Sequence, residues 1–449
     1  ASVYRRIFNS PNDAAPVVLE HHSGTYDPAE ESEAYTPRAN WTRLAAENWD
    51  TPIIVTTTVQ LFESLFAHST SRCRKLHRLA KSIIILDEAQ SLPAHLLDPI
   101  LDGLRELCTN YGSTVVLSTA TQPAFDAIPA FERLESREIV PAPERHFRAL
   151  KRVDYEWRID EALCWEEAAS LMRGESQALA ILNTKKDALA LLDALNDPDA
   201  LHLSTLLCGA HRIHVIEEVT RRLIGGEPCR LVATQVVEAG VDLDFPLVLR
   251  AVGPLYSIIQ AAGRANREGR LDSAQVIVFE PVEGGLPRGA YQRATQTTHT
   301  LLNAGALDMN DPTSVQNYFT RLYQLEDTDR NEIQKKRREL DYPEVARRFR
   351  MIDDDTVSVV VTEYGMEDER QRVRSILAGL YAGAPPTRRL LRQLRPYTVS
   401  LWRRQALEHQ RRGFLSTEEV APGLWEWLGK YDQVRGLSAS DVDADQLVF

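Results

Sequence analysis

The sequence predicts an α/β protein: two parallel-sheet lobes followed by a mainly helical C-terminal domain. Three observations carry this. Short apolar runs alternate with helically spaced apolar residues from the start to about residue 285. Several of those runs end in acidic, hydroxyl or amide residues, where parallel sheets place their ligand loops. Beyond the Pro281–Pro287 stretch the pattern becomes mostly helical.

The first lobe is expected over 1–143. Its buried strands are 53–55, 83–86 and 115–117, all short and apolar. Leu96, Leu97, Ile100, Leu101 and Leu104 recur at helical spacing between them. Loop chemistry runs from Pro123 to Pro143. The second lobe, 144–285, has strand candidates at 178–182, 201–203, 230–233, 247–249 and 276–279. A helical linker, 286–350, leads to an accessory domain, 351–449. That domain holds a strand at 357–361, Arg-rich helices, and Trp425 and Trp427. No internal repeat shows beyond the two similar lobes.

Composition bounds the function. Apolar content of 43% and charged content of 26% fit a soluble globular protein. No apolar run is long enough to span a membrane, and no signal-peptide core opens the chain, so the expected location is cytoplasmic. The five cysteines are scattered without a Cys-x-x-Cys, which argues for a reducing compartment and against a zinc or disulfide frame. A net charge of −12 disfavours bulk attraction to nucleic acid. Local patches govern docking, however, and arginines cluster between Arg388 and Arg412 beside Tyr397 and Trp402. That window reads either as a nucleic-acid contact or as a solvated helix face.

Five segments carry the chemistry. Asp87 and Glu88 follow an apolar strand, and Gln90 stands beside them. A carboxylate there can hold Mg²⁺ through water, and its neighbour can orient and deprotonate an attacking water. Gln90 could relay nucleotide state to neighbouring loops. Asp-Glu equally favours a helix N-terminus. Ser118, Thr119 and Thr121 follow the next strand; their hydroxyls can couple the acidic loop to other parts, or simply cap a turn before Pro123. Thr57 and Thr58 can meet a nucleic-acid phosphate at a helix start, or serve as an N-cap alone. Thr234 and Gln235 could touch backbone phosphate. Glu238 and Asp242, around Gly240, could face ribose, Mg-bound water or the arginine segment.

That segment, Gln260-Ala261-Ala262-Gly263-Arg264-Ala265-Asn266-Arg267, begins well downstream of Asp87. Read as a helix, it puts Arg264 and Arg267 on one face one turn from Gln260, with small residues allowing close approach. Planar guanidinium groups suit a γ-phosphate in transfer. Arg212, after Cys208-Gly209-Ala210-His211, is a further candidate phosphate contact. His202, His211 and His214 lack the spacing of a convincing metal site. His21-His22-Ser23-Gly24 reads as a loop after a strand, near the nucleic-acid path. No Gly-x-x-x-x-Gly-Lys-Ser/Thr occurs.

With these motifs in order, the chain resembles the helicase portion of the CRISPR-associated helicase–nuclease of type I interference systems. The resemblance rests on Val18-Leu19-Glu20-His21-His22-Ser23, Asp87-Glu88-Ala89-Gln90-Ser91-Leu92-Pro93, Thr119-Ala120-Thr121-Gln122-Pro123, Glu238-Ala239-Gly240-Val241-Asp242 and the Gln260–Arg267 block with Asn266. Many members place His where Gln90 stands, and the Gln form looks like subtype I-C. The resemblance implies a superfamily 2 motor with two RecA-like lobes and a C-terminal cap. It implies Mg²⁺ and ATP as cofactors, with Asp87 toward the metal. It implies 3′-to-5′ translocation on single-stranded DNA after recruitment by an RNA-guided surveillance complex. In the family an HD nuclease domain using divalent metal, and a Walker A lysine, lie upstream of residue 3. Lacking both, this chain is expected to be a fragment or one polypeptide of a split enzyme. Alone it is expected to be nuclease-free and poor at ATP hydrolysis. The missing segment would be a partner if it is a separate chain. A non-enzymatic DNA- or complex-binding module and another superfamily 2 translocase are the alternatives.

Overall fold

The computed structural model describes the chain except residues 1, 10–15, 23–36, 122, 129, 132–135, 239, 353–354 and 439–449. Ser23, Gly24, Gln122 and Ala239 of the sequence motifs therefore lie outside the described residues. Two compact units result: 1–139 with 319–354, and 140–318 with 355–449. The stretch expected as one linker, 286–350, is thus divided between them.

In the first unit, β1 (Val18–His21) pairs in parallel with β2 (Ile53–Thr56), and β3 (Ile83–Asp87) with β4 (Thr114–Ser118). His21, expected in a loop, closes β1, and its Nδ1 accepts the indole N–H of Trp49 at 2.8 Å. The helix Leu97–Tyr111 buries Leu97, Ile100, Leu101 and Leu104 of the apolar stripe read from the sequence, and Leu107 beyond it; Leu96 lies in the turn before the helix. Gly112 ends it at φ +65°, a left-handed cap that glycine adopts without a Cβ penalty. One face of β3 is open, with Ile83 72% and Ile85 65% exposed. Within this unit the helix Ile333–Arg338 reaches the helix Leu97–Tyr111 through the Arg337–Asp102 ion pair. Phe349 stacks on Phe66 with ring centres 4.2 Å apart.

The second unit is built on one six-stranded parallel sheet. Its strands are β5 (Val153–Leu163), β6 (Gln177–Ile181), β7 (Leu201–Leu203), β8 (Cys229–Ala233), β9 (Leu247–Ala251) and β10 (Ala274–Pro281). They lie in the order β5-β10-β9-β6-β8-β7. Ala178, Leu179, Ala180 and Ile181 of the central strand are wholly buried, because helices cover both faces of a parallel sheet. Sequence reading missed β5. Its Val153, Tyr155, Trp157 and Ile159 alternate with Asp154, Glu156, Arg158 and Asp160, the mark of an edge strand rather than a buried run. The order reverses around β6, so the loops after β6, β8 and β9 meet at a topological switch point.

Beyond it stand β11 (Thr356–Val360), β12 (Thr398–Trp402) and β13 (Leu424–Glu426), one sheet, and the hairpin β14 (Lys430–Asp432) and β15 (Gly436–Ser438). Only β11 of these was expected. The Arg388–Arg412 window is two helices, Arg388–Leu394 and Arg403–Arg411, with β12 between them. Trp402 is exposed, and Tyr397 donates its hydroxyl to Glu369 at 3.0 Å. Among the described residues no helix is long and apolar enough to cross a membrane.

The hairpin is keyed into the sheet domain. Tyr431 O–H accepts the Cys208 N–H at 3.0 Å and sits 2.9 Å from His211 Nδ1. Tyr364 stacks on the same imidazole at 4.4 Å. His202 Nδ1 meets the Val434 carbonyl at 3.2 Å, and Leu437 N–H reaches Leu206 O at 3.1 Å. At Gly436, φ is +82° and an added Cβ would lie 2.4 Å from Leu206 O. Gly436→Ala is expected to lose about 1–3 kcal/mol through overpacking, read as a lower urea midpoint.

Burial holds both His202 and His211 at about 4, below the ordinary 6.5. Between those values the unfolded chain binds more protons than the folded one. Stability from these histidines is therefore full above pH 6.5 and is lost as pH falls through 4. Thermal midpoints across pH 7 to 4 should fall in that window, and the fall should be shallower in His202→Gln.

Candidate nucleotide and nucleic-acid site

In the first unit the acidic loop leaves the C-terminal end of β3. Asp87 stands opposite Ser118 in the parallel register, and the Ser118 hydroxyl donates to Asp87 Oδ1 at 3.1 Å. Asp87 is exposed and Glu88 half-buried. Glu88 adopts φ +54°, ψ +48°, a left-handed conformation uncommon outside glycine. That turn aims Gln90 back: its amide donates to Glu88, and its carbonyl oxygen is reached by the Thr119 hydroxyl. The same hydroxyl lies 2.8 Å from Thr121 O and accepts the Thr121 N–H at 3.1 Å. Carboxylate, amide and hydroxyl thus form one polar chain across two strand ends. The buried Thr121 hydroxyl has no partner among the described atoms.

Thr57 is the N-cap of the helix Thr58–Leu65, accepting the Gln60 N–H at 3.2 Å, so the capping reading is realised. Thr57 is exposed and Thr58 half-buried.

The arginine segment of the second unit is not a helix. The helix Leu255–Ala262 holds Gln260 and ends at Gly263, before both arginines. The cause is local. Phe245 N–H donates to Arg264 O at 2.9 Å, and Asn266 N–H to Phe245 O at 3.1 Å. Asn266 takes φ +47°, and its side chain bonds Leu271 N–H and Leu271 O at 3.0 and 2.7 Å. A helix could not make these contacts, so Arg264 and Arg267 do not share a helix face.

Their settings differ. Arg264 is buried; Nε donates to Val237 O at 2.9 Å and Nη2 to Glu238 O at 2.6 Å. Arg267 is 44% exposed and pairs with Asp242, itself 76% exposed. Gly240, between those loops, has φ +74°. Thr234 is buried, and Gln235 donates to Asn183 O at 2.9 Å. Arg212 is half-buried near the start of the helix Gly209–Gly225. Sequence reading missed Arg250, Asn183 and Tyr291, which meet behind these loops. The one signal was a lone Arg in the apolar run 247–251. Among the described residues no group of three or more His, Cys, Asp or Glu could hold a metal ion. A Mg²⁺ held by one carboxylate, with phosphate and water completing its shell, requires no such group.

Four matches to known proteins bear on this arrangement. A family model described as CRISPR-associated nuclease/helicase Cas3, C-terminal, matches residues 174–270. The CRISPR-associated nuclease/helicase Cas3 of Haloferax volcanii is 27% identical over 418 residues, covering 71% of this chain and 44% of that protein. The crystal structure of T. fusca Cas3 with AMPPNP matches with a TM-score of 0.64 at 16% identity, covering 94% of this chain and 62% of that one. A structure described as a CRISPR RNA-guided surveillance complex, pre-nicking, contains a chain matching with a TM-score of 0.53 at 16% identity, over 94% of this chain and 64% of its own. This chain therefore spans under half of the Haloferax protein and under two thirds of the two solved chains. The resemblance read from the motifs holds as a similarity: the chain is similar in sequence to Cas3 nuclease/helicases and shares the α/β parallel-sheet fold of the solved Cas3 chains.

Glu88→Gly would relieve the left-handed backbone, worth about 1–2 kcal/mol in an L-residue, against a smaller entropic cost. The expected thermal midpoint is unchanged or raised. A clear fall in midpoint would show that the carboxylate is there for the fold.

Proposed function

We propose that this chain is the motor part of a CRISPR type I effector helicase–nuclease. It would translocate 3′ to 5′ along single-stranded DNA and unwind target DNA, in the cytoplasm, in antiviral defence. The observation that carries the reading is the polar chain from Glu88 through Gln90 to Thr119, beside an Asp87 aligned by Ser118. An ordinary capping turn does not need a carboxylate, an amide and a hydroxyl linked across two strand ends. Bound Mg–ATP would supply the γ-phosphoryl group whose transfer to water drives motion. Asp87 would hold the metal through water, and Glu88 would orient and deprotonate the attacking water. Gln90 and Thr119 would carry the state of that site along β4, with Ser118 and Thr121 beside them. Asp242 and Gln260, near Gly240, would face the nucleotide. Arg267, the exposed guanidinium, would exchange Asp242 for phosphate.

Thr57, Thr58, Thr234, Gln235 and Arg212 are the proposed contacts to the DNA backbone. The RNA-guided surveillance complex is the proposed recruiting partner, and nuclease activity is assigned to the complete effector rather than to these residues. The sequence has no Walker A segment, so this chain alone is expected to hydrolyse little ATP.

The test is ATP hydrolysis by the 449-residue chain with and without single-stranded DNA, alongside DNA binding by anisotropy. Negligible turnover with retained, salt-sensitive DNA binding is expected. DNA-stimulated turnover abolished by Arg267→Ala would support the motor and show that other residues cradle the phosphates. Neither turnover nor DNA binding would overturn the motor reading in favour of a protein-docking module.

A further inference from the structure

Behind the Thr234–Asp244 loop lies a group that neither the motifs nor the proposed chemistry uses. Arg250 sits on β9 between Leu249 and Ala251 and is wholly buried, in a strand whose other side chains are all apolar. A leucine or methionine there would suit the sheet better, since a buried charge gains little over a well-packed apolar side chain. Its contacts show what it does instead. Nη1 donates to Asn183 Oδ1 at 2.8 Å and Ala251 O at 2.7 Å, and lies 3.3 Å from Ile181 O. Nη2 donates to the Tyr291 hydroxyl at 2.8 Å and lies 3.0 Å from Glu238 Oε1 as an ion pair. One guanidinium thus joins the ends of β6 and β9, the turn after β8, and the helix Ala290–Asn303.

The hub reaches further through its partners. Tyr291 donates to Asn183 Oδ1 at 2.7 Å, and Asn183 Nδ2 to Val252 O at 2.7 Å. The Ser257 hydroxyl donates to Glu238 Oε2 at 2.5 Å, and Arg264 holds the Glu238 carbonyl. At Gly253 an added Cβ would lie 2.9 Å from the Tyr291 hydroxyl and 3.1 Å from Arg250 Nη2, so the cluster is close-packed. Arg250 Nε has no hydrogen-bond partner among the described atoms. The fold therefore tolerates an imperfectly satisfied buried charge at this point.

We propose that Arg250 is a positioning residue: through Glu238 it sets the Thr234–Asp244 loop, and through the Glu238 carbonyl it seats Arg264. Arg264 is then part of the frame, and Arg267 is the guanidinium free to change partners. This deepens the motor reading and rests on it for the identity of the ligands, but not for the geometry.

The variants are Arg250→Lys, Arg250→Met and Tyr291→Phe, the last removing a single hydroxyl. Hydrogen–deuterium exchange is read on the 449-residue chain. Exchange should rise at least several-fold in 234–244 and 263–268, with β6, β8 and β9 unchanged. Single-stranded DNA affinity is read in parallel against salt. It should fall several-fold in Arg250→Lys with the salt slope unchanged, because position is lost and no phosphate-facing charge is. If Arg250→Met does not fold, Tyr291→Phe carries the exchange test, with a smaller rise in the same two segments. Unchanged exchange in 234–244, or a rise spread over all the strands, overturns the proposal. If the unsubstituted chain binds no DNA, the motor reading fails, and the exchange pattern still decides the role of Arg250.

Discussion

A guanidinium buried at the C-terminal edge of an apolar parallel sheet is the constraint on which the second unit depends. Arg250 is wholly buried, so its Nη donors are met by protein, while Nε has no partner among the described atoms. The groups that meet them are the ends of the strands beside it and a side chain from the helix Ala290–Asn303. Satisfying one charge therefore brings Asn183, Glu238 and Tyr291 to a common point. It also explains why Gly253 is a glycine, since the space a Cβ would occupy is taken.

The first unit uses a different device for a similar end. Parallel register sets Asp87 beside Ser118, and the left-handed turn at Glu88 swings Gln90 back toward the carboxylate. Backbone strain here buys a polar relay within a few residues. In both units these polar groups sit at strand C-termini, where backbone amides and loops converge. The keyed hairpin β14–β15 adds a third anchoring. Its tyrosine, its glycine and a backbone carbonyl hold it to the His202–His211 region.

The contrast between the two arginines follows from the same geometry. A short stretch after a helix, pulled into a bridge with Phe245, places Arg264 inward and Arg267 outward. Paired arginines need not do the same work. One satisfies carbonyls that would otherwise be orphaned beneath a loop, and the other rests on an exposed carboxylate.

Residue order alone was enough for the α/β class, the strands β2 to β4, β6 to β10 and β11, and the helix Leu97–Tyr111, because buried parallel strands and helix stripes leave continuous or 3.6-period apolar runs. It also placed the acidic loop at the end of β3, because a loop that directly follows an apolar run is local in sequence. It could not show β5, whose alternation is that of a half-exposed edge, nor β12 to β15, which are too short to carry a period. It also misread the arginines as helical. Two bonds to Phe245 and an asparagine in the left-handed region outweigh the helix propensity of alanines, and those partners are distant in the chain. Arg250 shows the limit most plainly. In the sequence it is one polar residue interrupting an apolar run; only the meeting of β6, β8, β9 and Tyr291 reveals that it is the point where the loops are tied.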